Sequence, residues 1–171
     1  HRMIRLLAFV DPWAYREGPG WQLIQSLSAF AQGGVFGRGP GAGEQKLGYL
    51  PAPNTDFIFS VTGEELGLIG TLMVVALFCG LLYAGLRIAL HAPDRFGGLL
   101  ATGIASMAGL QAAFIMAVTT GLLPTKGLPL PFISYGGTSL LVYLGMMGIL
   151  ANIGAQARAP EPKRRLAPAA G

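Results

Sequence analysis

Charge is what this sequence has least of. Only 12% of its 171 residues are Asp, Glu, Lys or Arg, about half the share of an ordinary soluble domain. A single cysteine, Cys79, excludes a disulfide framework and a cysteine-spaced metal site. There is no Ser-His-Asp order, no His-Glu-x-x-His, no Cys-x-x-Cys and no Walker sequence, which sets aside the commonest hydrolase, zinc-protease, redox and nucleotide-binding chemistries. No long internal repeat is visible, and nucleic acid is not expected as a partner. What is there in excess is apolar: 52% hydrophobic residues and a mean hydropathy of +0.53. In that setting 26 glycines and 12 prolines point to close helix packing and re-entrant turns. The chain is read as a membrane protein, or part of one. It opens on His1 with a polar, interfacial segment and no signal peptide, and is expected to be the C-terminal part of a longer protein.

The stretch Leu50–Gly67 organises the rest. A Pro-broken polar loop presents one carboxylate, Asp56, and the chain then stays apolar to about Leu90 apart from Glu64 and Glu65. A run this long predicts a membrane span, which needs roughly 20 apolar residues. Asp56 then belongs at its mouth. Eight residues of helix rise about 12 Å, which puts Glu64 and Glu65 below the headgroups. Ionisable groups there cost at least ~2.5 kcal/mol each and are functional candidates.

The fold class expected is all-α integral membrane. Residues 1–56 read as a large loop with short interfacial helices: Met3, Ile4, Leu6, Leu7, Phe9 and Val10 beside Arg2 and Arg5 suit a helix at the membrane surface, or a solvated linker. Residues 21–32 predict a second amphipathic helix with Trp21, Ile24, Leu27 and Phe30 on one side and Gln22, Gln25, Ser26 and Gln32 on another. That amide-rich face either hydrogen-bonds a sugar or faces water. Residues 33–49 form a glycine-rich loop. No strand precedes its glycines and no Gly-Lys-Ser/Thr follows, so it is not a nucleotide fingerprint. Arg38 and Lys46 flank the approach to Asp56, as ligands for an anionic head group or pyrophosphate or as plain surface charge. Within residues 57–154, spans are expected at about 57–88, 96–123 and 139–153. Gly63, Gly67 and Gly70 thin one side of the first span for a neighbouring helix, and Gln111 in the second is read as an interhelical hydrogen-bonder. Residues 124–138 hold three prolines and three glycines that cannot continue a helix; they predict a partly buried re-entrant loop. Residues 155–171 read as a basic, disordered tail.

Charges orient the spans. Arg87, His91 and Arg95 lie between the first two, and Arg158, Lys163, Arg164 and Arg165 follow the third. The positive-inside rule places both groups in the cytoplasm, which puts residues 1–56 and 124–138 outside. Asp56, Arg38, Lys46 and Lys126 then converge on the outer surface. From the residues alone, an ion-coupled transporter and an enzyme acting on a membrane-embedded phospho-substrate fit equally well.

A resemblance separates them. Asp11-Pro12-Trp13-Ala14, Gln22–Leu27, Gly33-Gly34-Val35-Phe36-Gly37, Leu50-Pro51, Thr55–Phe59, Gly63–Gly67 and Gly121–Gly137 stand in the order seen in the SEDS family (shape, elongation, division and sporulation). Together they span most of residues 9–154. The Asp-Pro-Trp-Ala and Pro-Thr-Lys-Gly wording resembles its cell-division branch more than its elongation branch. Members have ten spans, so the resemblance makes these the last three, with the large outer loop before them. It implies polymerisation of peptidoglycan glycan strands from lipid II, an undecaprenyl-pyrophosphate-linked disaccharide-pentapeptide, at the bacterial plasma (inner) membrane. It places Asp56 on the catalytic aspartate, on the extracytoplasmic face. Glycosyl transfer needs a base at the acceptor hydroxyl and positive charge on the departing pyrophosphate. The expected roles are therefore Asp56 as base or metal-assisted base, Lys46 and Arg38 near the pyrophosphate, Thr55, Gln22, Gln25 and Ser26 on the sugars, and Lys126 as a further substrate-binding residue. Glu64, Glu65, Ser134 and Tyr135 shape the cavity. A divalent cation such as Mg or Mn is a possible assistant, with no resident metal site assigned. The implied partners are lipid II and the growing glycan strand, a class B penicillin-binding protein transpeptidase, other divisome proteins and the membrane.

The sequence departs from the family's pattern where Ala52 and Asn54 replace a common Glu and His, and where Ile115 and Ala117 replace a common Asn and Gly. Two rival functions share the resemblance: a lipid II flippase, which keeps the cavity but does not require Asp56, and a non-catalytic divisome scaffold.

Overall fold

The computed structural model describes residues 9–39, 41, 58–124, 127–134 and 136–158. Its helices are α1 (Pro19–Gly33), α2 (Ile58–Leu90), α3 (Arg95–Thr119) and α4 (Gly137–Arg158), and among the described residues there is no strand. Phe9 and Val10 are helical; the rest of the surface helix expected at the start lies outside the described residues, as does the tail beyond Arg158.

The last three helices are each long and apolar enough to cross a membrane. They alternate in direction and pack through small residues, as helices must where lipid removes the hydrophobic drive to associate. α3 turns a face of Gly97, Ala101, Ala105, Ala108 and Ala112 inward. Gly85 of α2 approaches it so closely that a Cβ there would stand 2.5 Å from that of Ala105. α4 closes the bundle with Leu150 and Ile153 against Ala101 and Ile104. α3 begins at Asp94, whose carboxylate accepts from the Gly97 amide at 2.8 Å, and ends at Thr119, four residues short of the span expected to 123. Gly121 takes φ 77° there and turns the chain away.

α1 lies across the far end of the bundle, against the start of α2 and the end of α3. Pro at its first position costs no intrahelical bond, and Gly34 (φ 54°) stops it. Its buried face is Leu23, Ile24, Ser26 and Ala29, while Trp21 and Leu27 are exposed. This corrects the expected face in part: Ile24 is buried as expected, but Trp21 and Leu27 are not, and small Ser26 and Ala29 beside Leu23 let α1 approach two helices at once. The Ser26 hydroxyl donates to the Thr119 carbonyl at 2.7 Å.

At the same end, residues 127–134 fold back into the bundle as the Pro/Gly content predicts. Leu130, Pro131 and Ser134 are buried, and Leu130 packs with Phe59, Phe78 and Ile115. Phe132 takes a left-handed conformation (φ 66°) that sends its ring between Phe78 and Tyr143. Gln111 ties the loop down, donating to the Pro129 carbonyl at 3.0 Å while the Tyr143 hydroxyl donates to its Oε1. It is the hydrogen-bonding link between elements that the sequence suggests.

α2 is not one helix. Its 33 residues amount to about 50 Å of rise against a hydrocarbon core of ~30 Å, and it breaks at Gly67 (φ 67°, ψ −160°). The segment after the break, 68–90, rises about 34 Å and is long enough to cross alone. Residues 58–66 form a two-turn extension. Glu64 and Glu65 lie in this extension, between Ile58 and the break.

Candidate active site

The break is filled by another piece of chain. In an unbroken helix the Leu68 and Ile69 amides would donate to the Glu64 and Glu65 carbonyls. Instead those carbonyls accept from the amides of Arg38 and Gly39, each at 3.0 Å, and Leu68 and Ile69 donate to the carbonyls of Gly34 (3.0 Å) and Val35 (3.4 Å). Residues 34–39 thus form a strap inserted into α2, replacing the lost rungs. Backbone-to-backbone contact this close leaves no room for side chains. A Cβ on Gly37 would lie 2.2 Å from the Glu65 carbonyl oxygen, and one on Gly67 would lie 2.4 Å from the Gly37 nitrogen. Irregular backbone at the edge of a membrane is tolerated where protein satisfies it, and the strap does so.

A charged pair sits over the break. The Glu64 side chain is fully buried, and its Oε1 lies 4.0 Å from Nη1 of the part-exposed Arg38 guanidinium. An opposite charge in place is what makes a buried carboxylate tolerable. Glu65 is half-buried. Gly63 meets the Phe30 ring of α1 rather than another span, and Phe30 stacks edge-on to Phe59 at 5.8 Å. The start of α2, α1, the strap and residues 127–134 therefore gather at one end of the bundle. Arg87, Arg95 and Arg158 stand at the other, at the end of α2, the start of α3 and the end of α4.

Of the residues singled out from sequence, Arg38 and Glu64 are brought together. Gln22 and Gln25 are half-buried on α1. Ser26 is corrected: it is fully buried with its hydroxyl on Thr119, and is a link between helices, not a surface for a sugar. Ser134 is buried in the re-entrant loop. Asp56, Thr55 and Lys46 fall in the segment 42–57, and Lys126 and Tyr135 in the second loop; all five lie outside the described residues. Among the described residues no three His, Cys, Asp or Glu come together as a metal-ligand set. The strap is the feature that sequence reasoning missed. Its signal was present as Gly-Gly-Val-Phe-Gly at 33–37 and a glycine at 67 inside a span.

The family model for FtsW, RodA and SpoVE, described as cell cycle protein, matches residues 1–159. The chain belongs to this family. It is 54% identical over 153 residues to a Geobacter sulfurreducens protein named probable peptidoglycan glycosyltransferase FtsW, covering 90% of this chain and 41% of that protein. It is 47% identical over 158 residues to stage V sporulation protein E of Bacillus subtilis, covering 92% of this chain and 43% of that one. Among solved structures, one titled "Structural coordination of polymerization and crosslinking by a peptidoglycan synthase complex" superposes with a TM-score of 0.74 at 30% identity, over 91% of this chain and 42% of the other. The chain therefore spans less than half the length of the relatives it matches. The FtsW-named relatives at this identity agree with the cell-division wording of its motifs, and the fold is that of a multi-pass membrane protein.

Proposed function

We propose that this chain is the C-terminal part of a lipid II polymerase of septal peptidoglycan synthesis in the bacterial plasma (inner) membrane, with Asp56 as its general base. The observation that carries the reading is the assembly at one end of the bundle. Segment 42–57, which contains Lys46, Thr55 and Asp56, stands in the sequence between the strap and Ile58, the first residue of α2, and both of these belong to that assembly. The positive-inside rule puts the opposite, arginine-bearing end in the cytoplasm, so the assembly faces outward, where the lipid-linked sugar is presented.

In this mechanism Asp56 takes the proton from the 4-hydroxyl of the acceptor sugar as that oxygen attacks the anomeric carbon of the donor. The new C–O bond forms as the bond to the pyrophosphate breaks, and undecaprenyl pyrophosphate departs with the electron pair. A positioned base contributes typically 10²–10⁴-fold. Lys46 and Lys126 meet the pyrophosphate charge, while Arg38 does so from beside Glu64, which fixes its guanidinium. Thr55, Gln22 and Gln25 position the sugars. A Mg or Mn ion would add positive charge at the pyrophosphate. The solved synthase complex supports a class B penicillin-binding protein as partner, with other divisome proteins.

Incubating the full-length protein with lipid II in detergent, where no bilayer remains to be crossed, tests the reading. Glycan polymer is the expected product. Its absence, with lipid II translocated across vesicles by the same protein, would make the chain part of a flippase; neither product would leave a scaffold.

A further inference from the structure

We propose that the groove between the end of α2 and the start of α3 binds an anionic phospholipid, its phosphate on Arg95 and its chains against Leu86, Leu90 and Leu99. The site stands at the opposite end of the bundle from the strap and does not depend on the role of Asp56. Its ground is a cavity of about 770 Å³ whose wall carries these four residues together with Asp94, Gly98 and Thr102, a size usual for small-molecule sites. Gly98 brings α3 up against the last turn of α2, where a Cβ would stand 3.1 Å from the Ala89 carbonyl oxygen. Beside that close contact Leu90 is 84% and Leu99 76% exposed, so the two helices leave a trough with apolar walls that is open on its outer side.

Polarity along the groove selects the occupant. From Asp94 to Thr102 α3 rises about 12 Å, with Arg95 at the shallow end and Leu99 and Thr102 deeper. The Thr102 hydroxyl donates to the Gly98 carbonyl of its own helix at 2.9 Å, so the deep end asks for no polar partner. The charge around the mouth is of one sign. Arg87 and His91 close α2, Arg95 opens α3 and Arg158 ends α4, whereas Asp94 is the one carboxylate at this end among the described residues. Asp94 is already engaged, since its carboxylate accepts from the Gly97 amide at a helix N-terminus, where negative charge is favoured. The positive-inside rule puts this end at the cytoplasmic leaflet, which carries the anionic lipid and where basic pockets between membrane helices hold lipid head groups. A further protein helix in the groove would have to meet Arg95 with a carboxylate of its own at the membrane boundary. A phospholipid supplies the negative charge at that depth and the apolar chains below it in one molecule.

Native mass spectrometry of the full-length protein in detergent, titrated with dioleoyl phosphatidylglycerol or with dioleoyl phosphatidylcholine, is the test, because the two lipids differ only in the head group. The first phosphatidylglycerol should bind wild type several-fold more tightly than phosphatidylcholine does. Arg95→Gln should weaken it about fivefold, the equivalent of the ~1 kcal/mol that one cation contributes near an anionic membrane surface. Arg158→Gln removes the same charge at the same end but outside the groove, and should bind as wild type. Thr102→Phe sets a ring into the deep end from an exposed position; it should weaken both lipids while leaving the lipid-free thermal midpoint unchanged. Glycerol phosphate, a head group without chains, should displace nothing. Equal affinity for the two lipids overturns the proposal, as does undiminished binding to Thr102→Phe. Equal losses in Arg95→Gln and Arg158→Gln would reduce the site to diffuse surface charge, and displacement by glycerol phosphate would make it a site for free phosphate; either result overturns it. A lipid-free midpoint lowered by several degrees in Thr102→Phe would show the groove to be filled by protein, from the same chain or a partner, and would overturn it too.

Discussion

Replacing Ser26 by Ala asks what the polar face of α1 is for. The hydroxyl lies 2.7 Å from the Thr119 carbonyl, and both residues are fully buried, so water cannot take its place. Nor can the neighbouring hydroxyl, since Thr119 Oγ1 is already bonded to the carbonyls of Ile115 and Met116. Removal leaves a desolvated carbonyl at the end of α3, a loss of about 1–3 kcal/mol in a protein interior and nearer ~1 kcal/mol for hydrogen bonds between membrane helices. We expect a loss of about 1–2 kcal/mol, read as a fall of a few degrees in the thermal unfolding midpoint in detergent. KM for lipid II should not change. Thr120→Ala, removing an exposed hydroxyl that bonds only carbonyls of its own helix at 2.8 and 3.2 Å, should leave the midpoint within a degree or so. A raised KM with an unshifted midpoint would refute this account of Ser26 and restore it to the sugar-binding face.

Gly85→Val should force α2 from α3 where the Ala105 methyl stands, at about 1–3 kcal/mol, whereas Gly103→Val, with nothing within 4 Å of its Cβ, should be tolerated; equal thermal midpoints for the two would contradict the packing. Gln111→Leu should strip the Pro129 carbonyl and the Tyr143 hydroxyl of their shared partner and loosen residues 127–134. Faster limited proteolysis in that loop is the expected readout, and unaltered cleavage would show that the loop is held by Leu130 and Phe132 alone.

What the sequence made legible, and what it hid, divide along physical lines. Long apolar runs imply crossing helices because a bilayer has a fixed thickness, and Pro and Gly between Leu123 and Thr138 imply a chain that doubles back because they cannot continue a helix. Gln111 was legible because a lone amide in an apolar helix needs a partner. The face of α1 was misjudged since amphipathic counting rewards Trp21 and Leu27 for size, whereas close approach to two helices rewards Ser26 and Ala29 for smallness. The break in α2 was hidden for a different reason. Residues 58–90 read as one run, because hydropathy registers side chains while the strap engages backbone, and backbone pairing between Gly34 and Leu68 leaves its mark only as glycines at 37 and 67.

The central claim is that Asp56 removes the proton from the acceptor hydroxyl. Its most direct test is the rate of lipid II polymerisation in detergent by full-length protein carrying Asp56→Asn, beside wild type at matched folded concentration. The asparagine keeps the shape and loses the base, so a fall of about 10²–10⁴-fold is predicted. Polymer formed at the wild-type rate would contradict the account.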